Sequence, residues 1–192
     1  MKKIPTLFKR EFKNHRVVKV LPEFTEGLEW FASDFTVIPT VKIDGSCCAI
    51  INGELYKRFD AKKGFYPHDA IKCQDKPDPV TGHWPMWLKC DKSNPSDKWF
   101  FAAYEKAKEF MILNDGTYEA IGKHFNGNPY KMDNDILNKH GDLVIGDLYY
   151  PYTYEKIKEW LEESNVEGIV FWKDDKPVCK IKRSDFGFKW PV

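Results

Sequence analysis

The chain has 192 residues, enough to bury a substantial core but cramped for two full domains, so a single domain over residues 1–192 is expected. Charged residues make up 31% of it while the formal net charge is only +1, so an anionic partner has to be met by a local basic patch rather than by the whole molecule. No apolar run reaches membrane-spanning length, Met1-Lys2-Lys3-Ile4-Pro5 does not lead into a signal-like segment, and an odd five cysteines argue against a disulfide framework; a soluble, cytoplasmic protein is expected.

Residues 2–19 interleave Leu7, Phe8, Phe12, Val17 and Val18 with basic side chains, and Arg10, Lys13, His15 and Arg16 cluster there. They read as a solvated strand edge or as a lip for phosphates. Thr25 has the chemistry of a helix N-cap, with Leu28, Phe31 and Ala32 at helical spacing behind it. Val37, Ile38 and Val41 then supply β-branched bulk, Asp44-Gly45 a turn, and residues 47–51 an apolar return. This predicts a hairpin with Lys42 at its mouth. Asn52-Gly53 turns the chain into another strand over 53–59.

Residues 60–95 change character, with Pro67, Pro77, Pro79, Pro85 and Pro95 among Gly64, Gly82 and many charges. An irregular excursion is expected, pinned by Trp84-Pro85-Met86-Trp87-Leu88. Cys73, His83 and Cys90 lie there without a C-x-x-C pair, so zinc is not expected at them. Ser96 caps a helix expected over 97–113, with Phe100, Tyr104, Ala107 and Met111 recurring at three and four, and Asn114-Asp115-Gly116 ends it. A strand over 117–121, a turn-rich loop over 125–130 and a polar stretch to His140-Gly141 follow. Leu143-Val144-Ile145 reads as a short strand, and Thr153 caps a second helix bearing Ile157, Trp160 and Leu161. Strands over 168–172 and 178–182 are joined by a turn over 173–177, and the aromatic end from Phe186 to Trp190 is expected to pack on the body. Strands and helices mix without βαβ regularity, which predicts an α+β fold with mainly antiparallel sheets and packed helices.

Bond formation to a nucleotide phosphate needs a neutral nucleophile, cations on the phosphate oxygens and a carboxylate-held metal. Lysine, with an ordinary pKa of about 10.4, sheds its proton near neutrality only through burial or cationic neighbours. Lys180 and Lys182 alternate along one strand and therefore share a face. They can give Lys42 that field and hold an α-phosphate; the plainer reading is a solvated strand. Glu119 and Glu167 stand among apolar residues, where a charge is costly unless paired or metal-bound. Salt bridges account for them most simply. The functional alternative puts ribose hydroxyls on Glu119 and Mg2+ (or Mn2+) on Glu167. Asp44 is placed to position Lys42, and Arg58 either holds phosphate or nucleic acid or is merely exposed.

Lys42-Ile43-Asp44-Gly45, Tyr118-Glu119-Ala120-Ile121-Gly122, Glu167-Gly168-Ile169-Val170-Phe171 and Lys180-Ile181-Lys182 occur in this order. Together they resemble the nucleotidyl-transfer motifs of the covalent nucleotidyltransferases, the superfamily of polynucleotide ligases and mRNA capping enzymes. Within it, the chain is similar to the stand-alone ATP-dependent 5′-to-3′ RNA ligases described in animals, a likeness extended by Asn126-Gly127-Asn128-Pro129-Tyr130, His140-Gly141 and Gly187-Phe188-Lys189-Trp190-Pro191. The resemblance implies an ATP-grasp-like adenylyltransferase fold, ATP as co-substrate, Mg2+ or Mn2+, and an RNA partner with 5′-phosphate and 3′-hydroxyl ends. It implies that Lys42 takes up AMP, with Asp44, Lys180 and Lys182 in the catalytic set. Thr40, Val41, Arg58, Glu119 and Glu167 join Lys42, Lys180 and Lys182 in binding the nucleotide, and Glu167 takes the metal. No length remains after the last motif for the OB-fold domain of DNA ligases and capping enzymes, which counts against guanylyl transfer. A DNA nick ligase and a nucleic-acid-binding module without turnover are the alternatives. Trp84, Trp87, Tyr130, Trp172 and Trp190 are candidates for stacking on bases, or core.

Overall fold

A computed structural model describes residues 1–14, 16–62, 65–79 and 81–192, with Arg16 described in its backbone only. His15 and Gly64, singled out above, lie outside the described residues, as does the side chain of Arg16. The elements in chain order are β1 (Phe8–Lys13), β2 (Arg16–Phe24), β3 (Ile38–Lys42), β4 (Ser46–Ile51), β5 (Glu54–Ala61), β6 (Ile71–Lys72), β7 (Trp84–Lys89), α1 (Lys98–Lys108), β8 (Gly116–Ile121), β9 (Ile136–Lys139), α2 (Tyr154–Glu163), β10 (Gly168–Lys173) and β11 (Lys176–Lys182). All strand pairs between them are antiparallel, in keeping with the α+β expectation. The chain divides into two compact units, one of Met1–Lys3 with Asp44–His140 and one of Ile4–Ile43 with Gly141–Val192. Among the described residues no helix is long and apolar enough to cross a membrane.

In the second of these units β10 is the central strand of a three-stranded sheet, flanked by β11 and β3. Register sorts its side chains into two faces. Val41, Ile169 and Ile181 oppose one another on the inner face, and Phe171 pairs with Pro39 and Cys179 two positions on. Ile169, Phe171, Cys179 and Ile181 are wholly buried there. Each such Ile or Phe contributes roughly 1.5–3 kcal/mol. The hairpin of β1 and β2 adds Phe8 and Val20, and α2 adds Ile157 and Leu161, one helical turn apart. Phe186 and Phe188 pack on this core, as expected of the aromatic end. Thr153 caps α2 by accepting a hydrogen bond from the Lys156 amide (3.3 Å). The β10–β11 turn is tighter than the composition suggests. Asp174 and Asp175, with φ of 48° and 57°, make a two-residue turn, so Lys176 and Pro177 join β11.

The other unit is a six-stranded sheet in the order β6-β7-β5-β4-β8-β9. Helix α1 buries Ala103 and Ala107 with Cys48, Tyr118, Ala120 and Leu137. Asn52 and Gly53 take φ of 52° and 74° in the β4–β5 turn, and both amides donate to the Asp115 carboxylate (2.6 and 2.9 Å).

Several expectations are corrected. The strand-turn-strand around Lys42 forms, but its arms do not pair: β3 joins β10, while β4 lies between β5 and β8 in the other sheet. Thr25 caps no helix. Its hydroxyl donates to the Thr6 carbonyl (2.6 Å), and only a 3-10 turn, Glu29–Ser33, follows. The excursion over 60–95 contains β7, which pairs with β5 along its length despite Pro85. Helix α1 is shorter than periodicity suggests, ending at Lys108, and Asn94 rather than Ser96 supplies a capping oxygen, to a 3-10 turn at Pro95–Asp97. The polar stretch before His140 holds the edge strand β9. Leu143-Val144-Ile145 makes only a bridge from Val144 to Thr40.

Candidate functional site

The outer face of the three-stranded sheet carries the lysines. Lys42 on β3 and Lys182 on β11 are both register partners of Gly168, which has no side chain to separate them. Gly168 is required for a second reason: a Cβ there would run into the Ile181 carbonyl. Glu167, immediately before it, has a buried carboxylate. Its Oε2 accepts from Lys42 Nζ at 2.5 Å and its Oε1 pairs with Lys182 Nζ at 2.6 Å. One carboxylate thus clamps two ammoniums from the two outer strands. Lys180 lies one row further along the same face, its main chain bonded to Pro5 and Leu7. Burial, and then the charges of Lys42 and Lys182, push the Lys180 pKa down to about 8. Arg10 on β1 lies 3.6 Å from Asp185, whose carboxylate also accepts from the Lys182 amide (2.9 Å).

Thr40 is buried in the adjacent row. Its hydroxyl donates to the Val170 carbonyl (3.1 Å) and accepts from Trp172 Nε1 (3.0 Å). It fixes the Trp172 ring, against which Gly141 packs closely. Val41 turns its side chain toward the core and gives its amide to the Leu143 carbonyl (2.8 Å).

The other unit has a transverse row of its own. Asn138, Glu119 and Cys47 are successive register partners across β9, β8 and β4, and Arg58 pairs with Trp87, which pairs with Ile71, across β5, β7 and β6. Glu119 Oε1 accepts from the Gly45 amide (3.2 Å), and its Oε2 contacts His140 Nε2 (2.8 Å). A Cβ on Gly45 would collide with the Ala120 carbonyl, which is the structural reason for glycine after Asp44. Asp44 is held by the 125–130 loop: its amide donates to Tyr130 Oη (2.7 Å), and Asn126 Nδ2 donates to its Oδ1 (2.6 Å). Arg58 bonds Asp60 (2.8 Å) and the Met1 carbonyl (2.9 Å). Burial, reinforced by Glu119, raises the Cys47 thiol pKa to about 12.

Sequence reasoning gave no role to Cys47 or His140. The signal was present for Cys47, since strand alternation two residues after Gly45 sets its side chain on the face opposite Cys48. It was absent for His140, whose approach to Glu119 depends on β9. Among the described residues Cys73, His83 and Cys90 form no metal-type cluster, and Cys90 is buried in the core beneath α1.

A Mg2+ ion takes oxygen ligands, commonly one or two carboxylates completed by phosphates and water. Glu167 offers a single buried carboxylate of that kind, with both of its oxygens paired here to Lys42 and Lys182.

Residues 106–192 match the family model described as RNA ligase 1. The whole chain is similar to RNA ligase 1 of Pongo abelii, 25% identical over an alignment of 268 positions that takes in 82% of that protein. It is likewise 26% identical to RNA ligase 1 of Rattus norvegicus over 270 positions, again covering all of this chain and 82% of the relative. A match to RNA ligase 1 of Danio rerio is 29% identical over 140 positions, or 58% of this chain and 43% of that one. The likeness to animal RNA ligases thus runs the full length of the chain.

Proposed function

We propose that the chain is an ATP-dependent RNA ligase with an adenylyltransferase fold, in which Lys42 carries the nucleotide. The observation that carries this reading is the Glu167 clamp on Lys42 and Lys182, with Lys180 in the next row of the same face. The arrangement suits a phosphate, which offers the ammoniums a replacement anion.

In the first step the Lys42 amine attacks the α-phosphorus of ATP, the bond to pyrophosphate breaks, and the amine proton leaves. Glu167, already bonded to Lys42 Nζ, is the nearest proton acceptor. Lys182 and Lys180 hold the phosphate oxygens against the charge that develops on them. An oxygen of an RNA 5′-phosphate then attacks the same phosphorus, breaking the Lys42 N–P bond and leaving AMP on the RNA end. Finally a 3′-hydroxyl attacks the terminal 5′-phosphorus, its proton is lost, and AMP departs. A divalent cation held by Glu167 and the phosphates would neutralise charge on the leaving oxygens. Asp44, Arg58 and Glu119 keep, as part of this proposal, the positioning and nucleotide-binding roles that the resemblance implies.

The test is a sealing assay on matched nicked duplexes and single strands whose 3′-terminal nucleotide is ribose or deoxyribose. The proposal expects ATP-dependent sealing that favours RNA-terminated substrates. Equal sealing of all-DNA nicks would move the assignment to a DNA ligase, and ATP-independent binding with no sealed product would make the chain a binding module.

A further inference from the structure

The six-stranded sheet holds a donor set of which the proposed ligase chemistry uses only Glu119. Cys47, Glu119 and His140 each offer one ligand atom, and these atoms lie within 4.8 Å of one another. The convergence is built by register. Cys47 and Glu119 are direct cross-strand partners on β4 and β8, and Asn138, the partner of Glu119 on β9, lies two residues before His140. Three neighbouring strands or their ends thus aim a sulfur, a carboxylate and an imidazole at one point.

The hydrogen bonds in this cluster do not close. Glu119 is satisfied by the Gly45 amide and by His140 Nε2, yet among the described residues His140 Nδ1 is buried with no partner. A buried ring nitrogen without a partner costs roughly 1–3 kcal/mol. A structural salt bridge between Glu119 and His140 uses one ring nitrogen and gives the neighbouring Cys47 thiol no part.

We propose that Cys47, Glu119 and His140 bind a borderline-soft divalent cation of the Zn2+ class, with solvent in the fourth position. Zinc bonds of roughly 2.0–2.3 Å in tetrahedral geometry separate ligand atoms by roughly 3.3–3.8 Å, so modest side-chain rotation closes the observed cluster on the ion. Sulfur and nitrogen donors select zinc over Mg2+, which prefers oxygen ligands. The thiol proton leaves to solvent as the metal–sulfur bond forms. The ion clips β4, β8 and the end of β9 together, and it is distinct from the Mg2+ assigned to Glu167. The proposal rests on this cluster alone and not on the ligase reading.

The test uses the full chain without ATP, so its result is independent of adenylylation. Titration with Co2+ as a visible probe should give one equivalent bound, with a sulfur-to-cobalt charge-transfer band that one equivalent of Zn2+ abolishes. Cys47→Ser and His140→Ala should each weaken Zn2+ binding at least tenfold, while Cys73→Ser leaves it unchanged. Thermal unfolding should shift upward with Zn2+ and not with Mg2+. To guard against variants that fail to fold, alkylation of the wild-type chain is mapped by mass spectrometry. Zn2+ should slow modification of Cys47 at least tenfold and leave Cys73 as the internal control. A Cys47 that is alkylated equally fast with Zn2+ present, or a Cys47→Ser chain that keeps the charge-transfer band and the affinity, would overturn the site.

Discussion

The two sheets carry opposite electrostatic arrangements on their polar faces. On the three-stranded sheet, Lys42, Lys180 and Lys182 stand about one buried carboxylate, so positive charge is in excess, the feature on which the proposed phosphate site rests. On the six-stranded sheet, Glu119 is held by an amide and an imidazole beside a thiol, the donor set proposed above for a cation. The same device, a transverse row set by antiparallel register, builds both faces. What differs is the charge around the carboxylate, and on that difference rest the phosphate proposed for one face and the metal proposed for the other.

Removing the central carboxylate from each face is the sharpest test of this contrast. Glu167→Gln leaves two half-buried ammoniums without their counter-charge and should cost about 2–4 kcal/mol of stability in urea denaturation, with adenylylation falling at least a hundredfold. Glu119→Gln keeps an acceptor for the Gly45 amide and should cost only about 1–2 kcal/mol. Equal costs, or the reverse order, would break the comparison.

An effect of opposite sign is expected at Lys180. Its folded pKa of about 8 lies below the ordinary 10.5, so between those values the unfolded chain binds more protons than the folded one. Stability should therefore rise with pH across that window. Below pH 8 both states are protonated and the full penalty of the buried charge is present, at most roughly 3 kcal/mol. Lys180→Met removes that penalty. The variant should melt higher than wild type at pH 7, lose the rise in stability above pH 8, and adenylylate more slowly. A variant less stable than wild type at pH 7 would mean that Lys180 is stabilised by its surroundings.

The lysine face was the more legible of the two in the sequence. The alternation of Lys180 and Lys182 about buried Ile181 fixes their common face without any tertiary knowledge. The same local logic found α2 from Thr153, Ile157 and Leu161, and the Asn52-Gly53 turn. What stayed hidden depends on pairing at long range. The partition of β3 and β4 between two sheets cannot be seen from a strand, a turn and a strand, because Asp44-Gly45 looks like a hairpin turn while Gly45 is held against Ala120 of β8. Strand β7 was masked by Pro85 and edge strand β9 by its polar neighbours. With β9 unseen, the approach of His140 to Glu119 had no basis.

The central claim is that Lys42 forms the covalent bond to the nucleotide, and mapping an adduct tests it most directly. The protein is incubated with ATP and Mg2+, weighed intact, digested and sequenced by mass spectrometry. The account predicts one added AMP on the peptide containing Lys42, absent in Lys42→Arg, which keeps the pairing charge beside Glu167 but no amine able to attack at neutral pH. An adduct on Lys180 or Lys182, or one that persists in Lys42→Arg, would contradict it.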